Sequence, residues 1–120
     1  MRILLVEDEP SISSLVAKVL ERAGHQVDVF ATPQAALEAN RQGAGLAIVD
    51  YSLPGMDGLA LAARFRESDP GLPVILCTGL PMNPPRADPP IHFLQKPYRP
   101  AELREMVNQV TAGAGPASHG

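Results

Sequence analysis

The chain has 120 residues, enough for one domain with a single core and too few for two of ordinary size. With 45% apolar residues and a formal charge of −3, it has the composition of a folded globular domain and lacks the basic excess that binding to nucleic acid or an anionic membrane draws on. The run Met1-Arg2-Ile3-Leu4-Leu5-Val6 meets Glu7 too soon for a secretory signal, no apolar stretch is long enough to span a bilayer, and the single cysteine, Cys77, has no intramolecular disulfide partner, so a cytoplasmic location is expected.

Strand-like and helix-like runs alternate, the pattern of a parallel sheet covered by helices on both faces. Ile3 to Val6 reads as the first strand. Ser11 to Ala23 places Ile12, Leu15, Val16, Val19 and Leu20 at helical spacing, and Gly24 follows as the C-cap glycine. Val27 and Val29 alternate with Gln26 and Asp28 in a short second strand. Thr32 and Pro33 read as the N-cap and first residue of a helix running towards Gly43. The third strand, Leu46-Ala47-Ile48-Val49, ends at Asp50; the turn residues Leu53-Pro54-Gly55-Met56-Asp57-Gly58 then lead into a helix from Leu59 to Ser68, stopped by Asp69-Pro70-Gly71. Val74 to Cys77 is the fourth strand and Ile91 to Leu94 the fifth. Pro100 opens a last helix with Leu103, Met106, Val107 and Val110 on one face. Residues after Thr111 are mostly Gly, Ala, Pro and Ser and expected to fray, which places a single domain over 1–112 and a flexible tail over 113–120.

One interval breaks the alternation. Gly79 to Pro90 contains five prolines where a crossover helix is due, and prolines this dense exclude an ordinary helix interior. An extended or single-turn connection is expected there, either as a structureless loop or as a specialised interaction surface. The predicted fold class is α/β, a doubly wound five-stranded parallel sheet in the order 2-1-3-4-5, with the fourth crossover helix shortened or missing.

Ligands of open α/β sheets bind beyond the carboxyl ends of the strands where the strand order reverses, here between the first and third strands. That brings Glu7 and Asp8 beside Asp50. Acids crowded at the mouths of buried strands are costly unless a cation neutralises them or their pKa values shift, so a Mg²⁺-binding pocket is expected. The fourth strand adds Thr78 and the fifth adds Lys96 just past its end. Acid, hydroxyl and amine together suit phosphoryl transfer to a carboxylate, with a nucleophile, a metal that screens charge and donors for the phosphoryl oxygens.

Val6-Glu7-Asp8-Glu9, Asp50 with Leu53-Pro54-Gly55-Met56-Asp57-Gly58, Thr78, and Phe93-Leu94-Gln95-Lys96-Pro97 occur in order, each at the end of its own predicted strand. With these motifs the chain resembles, over nearly its whole length, the receiver domain of two-component response regulators, whose sheet is flavodoxin-like. The resemblance implies that Asp50 is the phosphoacceptor, receiving a phosphoryl group from a histidine kinase or histidine phosphotransfer protein in a Mg²⁺-dependent reaction. Asp8 would bind Mg²⁺ directly with Asp50, Glu7 mostly through metal-bound water, and Ser52 through its backbone carbonyl. Lys96 would pair with Asp50 and then with a phosphoryl oxygen, aimed inward by a cis bond before Pro97. Thr78 would hydrogen-bond the phosphoryl group, and Phe93 occupies the position of the family's switch aromatic, turning into space that Thr78 vacates. Ser52 and Leu80 flank the site and would influence the lifetime of the phosphorylated state.

The proline-rich interval departs from the family, which places a full helix there, and puts the usual signalling face in doubt. No effector domain follows in this sequence, so a stand-alone receiver or one cut from a larger protein is expected, acting on a downstream protein target without touching nucleic acid or membrane. The motif around Lys96 looks like receivers attached to hybrid kinases. Two other classes compete. An Asp-nucleophile phosphatase of the haloacid dehalogenase type would carry a second Asp where Ser52 stands, and would need more chain for a cap. A receiver-like interaction module without the chemistry would not need Asp8, Asp50, Thr78 and Lys96 together. His25, His92 and His119 are scattered and suggest no metal site.

Overall fold

The computed structural model describes residues 1–83 and 85–112. Its elements are β1 (Arg2–Val6), α1 (Pro10–Arg22), β2 (Gln26–Phe30), α2 (Pro33–Glu38), β3 (Ala44–Asp50), α3 (Gly58–Ser68), β4 (Val74–Thr78), β5 (Ile91–Gln95) and α4 (Pro100–Ala112). All neighbouring strands pair in parallel, in the expected order β2-β1-β3-β4-β5. Residues 113–120, where the flexible tail and His119 were placed, lie outside the described residues.

The period-two alternation of strands divides the apolar side chains between two cores. Ile3, Leu5, Leu46, Ile48, Ile75 and Cys77 face α1 and α4, where they meet Val16, Leu20, Leu103 and Val107. Leu4, Val6, Ala47, Val49, Val74 and Leu76 face α2 and α3 and surround Phe65 and Leu61. Because β1, β3 and β4 are covered on both faces, they carry the unbroken apolar runs Ile3 to Val6, Leu46 to Val49 and Val74 to Cys77, and the polar residues Glu7, Asp50 and Thr78 follow at the sheet's carboxyl edge. β2 lies at the edge and keeps its polar alternation.

Helix α1 ends as its glycine requires. Gly24 adopts φ +95°, its N–H donates to the Glu21 carbonyl at 3.0 Å, and the His25 N–H donates to the Leu20 carbonyl at 3.1 Å. Leu15, though in step with the buried α1 residues, is 58% exposed and lines an apolar groove with Ile12, Pro97 and Tyr98.

Helix α2 is shorter than the expected run to Gly43, because side chains take over its carboxyl end. Arg41 donates to the Ala36 and Leu37 carbonyls at 3.0 and 2.7 Å, and the Asn40 side chain accepts the Gln42 N–H at 3.0 Å. Arg2 reaches across from β1 to the Asn40 and Gln42 carbonyls at 2.6 and 2.7 Å. The Arg41 bonds satisfy two of the last carbonyls of α2, which another helical turn would otherwise have used, and the Arg2 and Asn40 bonds fix the chain that leaves the helix.

Between β4 and β5 the described residues form no helix. The segment instead runs as a strap over α3, with Ala87 packed against the Phe65 core. Its anchor is Arg66, which donates to the Leu72, Pro89 and Pro90 carbonyls at 3.1, 2.6 and 3.5 Å. A helix would pair those proline carbonyls along its own backbone; here a guanidinium fork on the neighbouring helix does so. Among the described residues, no helix is long and apolar enough to cross a membrane.

Candidate functional site

Strand register builds the site. Val6 of β1 pairs with Val49 of β3, so the next residues, Glu7 and Asp50, leave the sheet side by side. Asp50 lies opposite Cys77, which places Thr78 one residue further along β4. Backbone bonds fix the strand ends: Glu7 N–H to the Phe30 carbonyl at 3.0 Å, Tyr51 N–H to the Cys77 carbonyl at 2.8 Å, and Lys96 N–H to the Thr78 carbonyl at 2.8 Å. Helix α3 holds the loop that follows Asp50. Asp57 caps it by accepting the Ala60 N–H at 2.8 Å, and the Gly58 N–H donates to the Tyr51 carbonyl at 2.8 Å.

Glu7 and Asp50 are buried, at 5% and 7% exposure, while Asp8 is open to solvent. One carboxylate oxygen from each of the three lies within 4.8 Å of the others. Lys96 Nζ sits 2.7 Å from Asp50 Oδ1 and 3.5 Å from Glu7 Oε1, and the Lys96–Pro97 peptide bond is cis. Burial, and then the neighbouring Asp50 carboxylate, push the Glu7 pKa above its ordinary value, against the opposing pull of the Glu9 N–H and Lys96. For Lys96, burial acts to lower the pKa, but the hydrogen bond and charge of Asp50 together with Glu7 outweigh it and hold the ammonium above its ordinary value. One ammonium therefore serves two buried carboxylates while an exposed third, Asp8, completes an all-oxygen cluster. Among the described residues no donor meets the Ser52 carbonyl, which stands in the bend just after Asp50 and Tyr51. Oxygen-only donors, one of them open to water, fit Mg²⁺, which takes few protein ligands and keeps several waters.

Thr78 is 3% exposed, and its hydroxyl faces the strap: it accepts the Leu80 N–H at 3.0 Å and donates to Met82 Sδ at 3.7 Å. Phe93 is half-buried against the Phe65 core and shares a cavity of about 490 Å³ with Thr78 and Met82. The structure thus brings Glu7, Asp8, Asp50, Ser52, Thr78 and Lys96 to one edge, with Phe93 behind Thr78. Met82 and Tyr98 beside the site, and the strap anchor Arg66 at the opposite edge of the sheet, were not foreseen. Met82 and Arg66 gave no local signal, because each acts on a residue reached only through the fold. Tyr98, two residues past Lys96, meets the buried thiol of Cys77; burial first, then Cys77, push the phenol pKa up. The aromatic at Tyr98 in an otherwise polar connection was the available hint.

Residues 3–108 match the model of the response regulator receiver domain. The chain is 35% identical over 114 residues to the response regulator receiver protein CpdR of Brucella abortus, a match covering 91% of this chain and 92% of that protein. It is 42% identical over 79 residues to the transcriptional regulatory protein TcrA of Mycobacterium tuberculosis, covering 65% of this chain but 31% of that one. Among solved structures, the receiver domain of the hybrid histidine kinase CckA superposes with a TM-score of 0.78 at 31% identity, covering 92% of this chain and 99% of that one. The Thermotoga maritima response regulator TrrA, solved in complex with Mg²⁺ and BeF, gives 0.77 at 30% identity over 91% of this chain and 97% of that one. Sheet order, the acidic edge with its lysine, and a family match over 3–108 agree: the chain belongs to the response regulator receiver domain family.

Proposed function

We propose that the unit formed by residues 1–112 is a phosphoacceptor switch whose acceptor is Asp50. The observation that carries the reading is the buried Asp50 carboxylate held at 2.7 Å by Lys96 inside an acidic cluster at the sheet's carboxyl edge. A buried carboxylate in that setting is positioned and desolvated, the two conditions for a nucleophile. An Asp50 oxygen attacks the phosphorus of a phosphohistidine on a histidine kinase or phosphotransfer protein; the P–O bond forms, the P–N bond breaks, and the imidazole leaves and takes up a proton. Asp8, Asp50 and the Ser52 carbonyl would hold Mg²⁺, with Glu7 in its outer shell, and the ion supplies charge neutralisation for the incoming phosphoryl group. Lys96 remains paired with the acceptor and takes up a phosphoryl oxygen, and Thr78 turns to donate to another. The rearrangement of Thr78 and Phe93 would alter the surface offered to a downstream protein target in the cytoplasm, without direct contact to nucleic acid.

The test is incubation with Mg²⁺ and an acyl phosphate donor, comparing the parent with Asp50→Ala. One hydroxylamine-labile phosphate per chain, absent from the variant and from samples with chelator, is the expected result. No incorporation would leave an interaction module, and many turnovers of a phosphate ester per chain would identify a phosphatase.

A further inference from the structure

The Thr78 hydroxyl has a single proton, and it is given to a thioether. Met82 Sδ receives it at 3.7 Å while the Leu80 N–H donates to the same oxygen at 3.0 Å, so both capacities of this buried hydroxyl are used by the first residues of the strap. Met82 is half-buried and shares the 490 Å³ cavity with Phe93 and Gln95. Among the described residues the Thr78 hydroxyl makes no hydrogen bond to Asp50 or Lys96; only its backbone carbonyl meets the Lys96 N–H. To donate to a phosphoryl oxygen on Asp50, the hydroxyl must give up Met82. A thioether is a weak acceptor, strong enough to orient a buried hydroxyl and weak enough to release it.

We infer that Met82 is a positioning residue for the phosphoryl site: its sulfur holds Thr78 turned outward and so sets the fraction of chains ready to receive the phosphoryl group. The inference rests on Asp50 being the acceptor. The strap, in place of a crossover helix, thereby biases the chemistry as well as reporting it. Where the receptive arrangement is a minor one, apparent affinity scales with its population, so the strength of the Thr78–Met82 contact appears directly in binding.

The experiment titrates the full chain with beryllium fluoride in the presence of Mg²⁺, a stable mimic of the acyl phosphate, and follows the methyl NMR signals of the methionines, of which there are four. Met56, in the loop after Asp50, reports occupancy, and Met82 reports release of Thr78. Met82→Leu keeps the bulk and removes the acceptor; Met82→Gln keeps the length and supplies a stronger one. A net hydrogen bond at the weak end of the usual range predicts about two- to five-fold tighter binding for Met82→Leu and a loosening of about the same factor for Met82→Gln. Both effects should vanish in a Thr78→Val background, and the Met82 methyl signal should move on binding in the parent. A merely structural role would move both variants in the same direction. That result, or differences that persist with Thr78→Val, would overturn the inference while leaving Asp50 as acceptor. Absence of binding to the parent, or binding that survives Asp50→Ala, would overturn both.

Discussion

Gly58 opens α3 with its backbone pressed against the acceptor strand. A Cβ at this position would lie 2.5 Å from the Asp50 carbonyl oxygen, 2.6 Å from Leu76 Cδ1 and 2.9 Å from the Tyr51 Cα. Carbon atoms in contact prefer about 3.5–4.0 Å, so Gly58→Ala is short by about 1 Å on three sides. Two of the three neighbours are backbone, and Leu76 is fully buried with no space to retreat into. Overpacking a dense interior costs about 1–3 kcal/mol, and a clash of this kind belongs at the top of that range. We expect a loss of about 3 kcal/mol in urea unfolding and a fall of about 12 °C in Tm. Because Asp50 must shift with its own carbonyl, the rate of labelling by an acyl phosphate should fall as well. The control is Gly55→Ala. Gly55 has φ +82° and open space around a Cβ, so the variant incurs only the left-handed penalty of about 1–2 kcal/mol. If Gly58→Ala destabilises no more than Gly55→Ala and labels at the parent rate, close packing of α3 on Asp50 is not what requires glycine.

Arg66→Met keeps the aliphatic stem and removes the fork on the Leu72, Pro89 and Pro90 carbonyls; we expect a loss of about 2 kcal/mol and faster proteolysis between residues 79 and 90, and unchanged cleavage would show that the strap is held by other contacts. Burial pushes the Cys77 thiol up to about 12, so it should resist alkylation at pH 8 until the protein unfolds. The unfolded thiol ionises near its ordinary value of 9.0 while the native one stays protonated, so the native state binds more protons and stability falls as pH rises. By pH 10 the loss should be on the order of 1 kcal/mol relative to Cys77→Val, and equal pH profiles for parent and variant would refute it. Asp57→Ala should cost about 1 kcal/mol through loss of the α3 cap and speed hydrogen exchange at the Ala60 N–H, with Asp57→Asn restoring most of both.

The strands β1, β3 and β4 could be read from sequence because burial on both faces leaves uninterrupted apolar runs, each ending where polarity begins. That same feature located Glu7, Asp50 and Thr78. The missing crossover helix was equally readable, since proline removes donors and fixes φ whatever surrounds it. The extent of α2 was not. Its end depends on Arg2 and Arg41, whose guanidinium groups arrive from another strand and from beyond the helix, and neither leaves a trace in the periodicity of Pro33 to Gly43. Leu15 keeps helical step with Val16 and Leu20, yet the edge of an apolar stripe is decided by what packs opposite. Met82 and Arg66 were unreadable for a related reason: Arg66 acts across 23 residues, and Met82 matters only once Thr78 has been oriented by its place on β4.

The strap touches the body at Met82, at Ala87 and through the reach of Arg66, while Pro81, Asn83, Pro85 and Arg86 stand in solvent. A crossover helix must keep a buried stripe in register with the sheet, so most changes to it disturb the core. A strap pinned at separate points carries no such stripe. Its exposed residues can therefore diversify among relatives, or accept a spliced recognition sequence, without repacking β4 or β5, which separates the evolution of partner choice from that of folding.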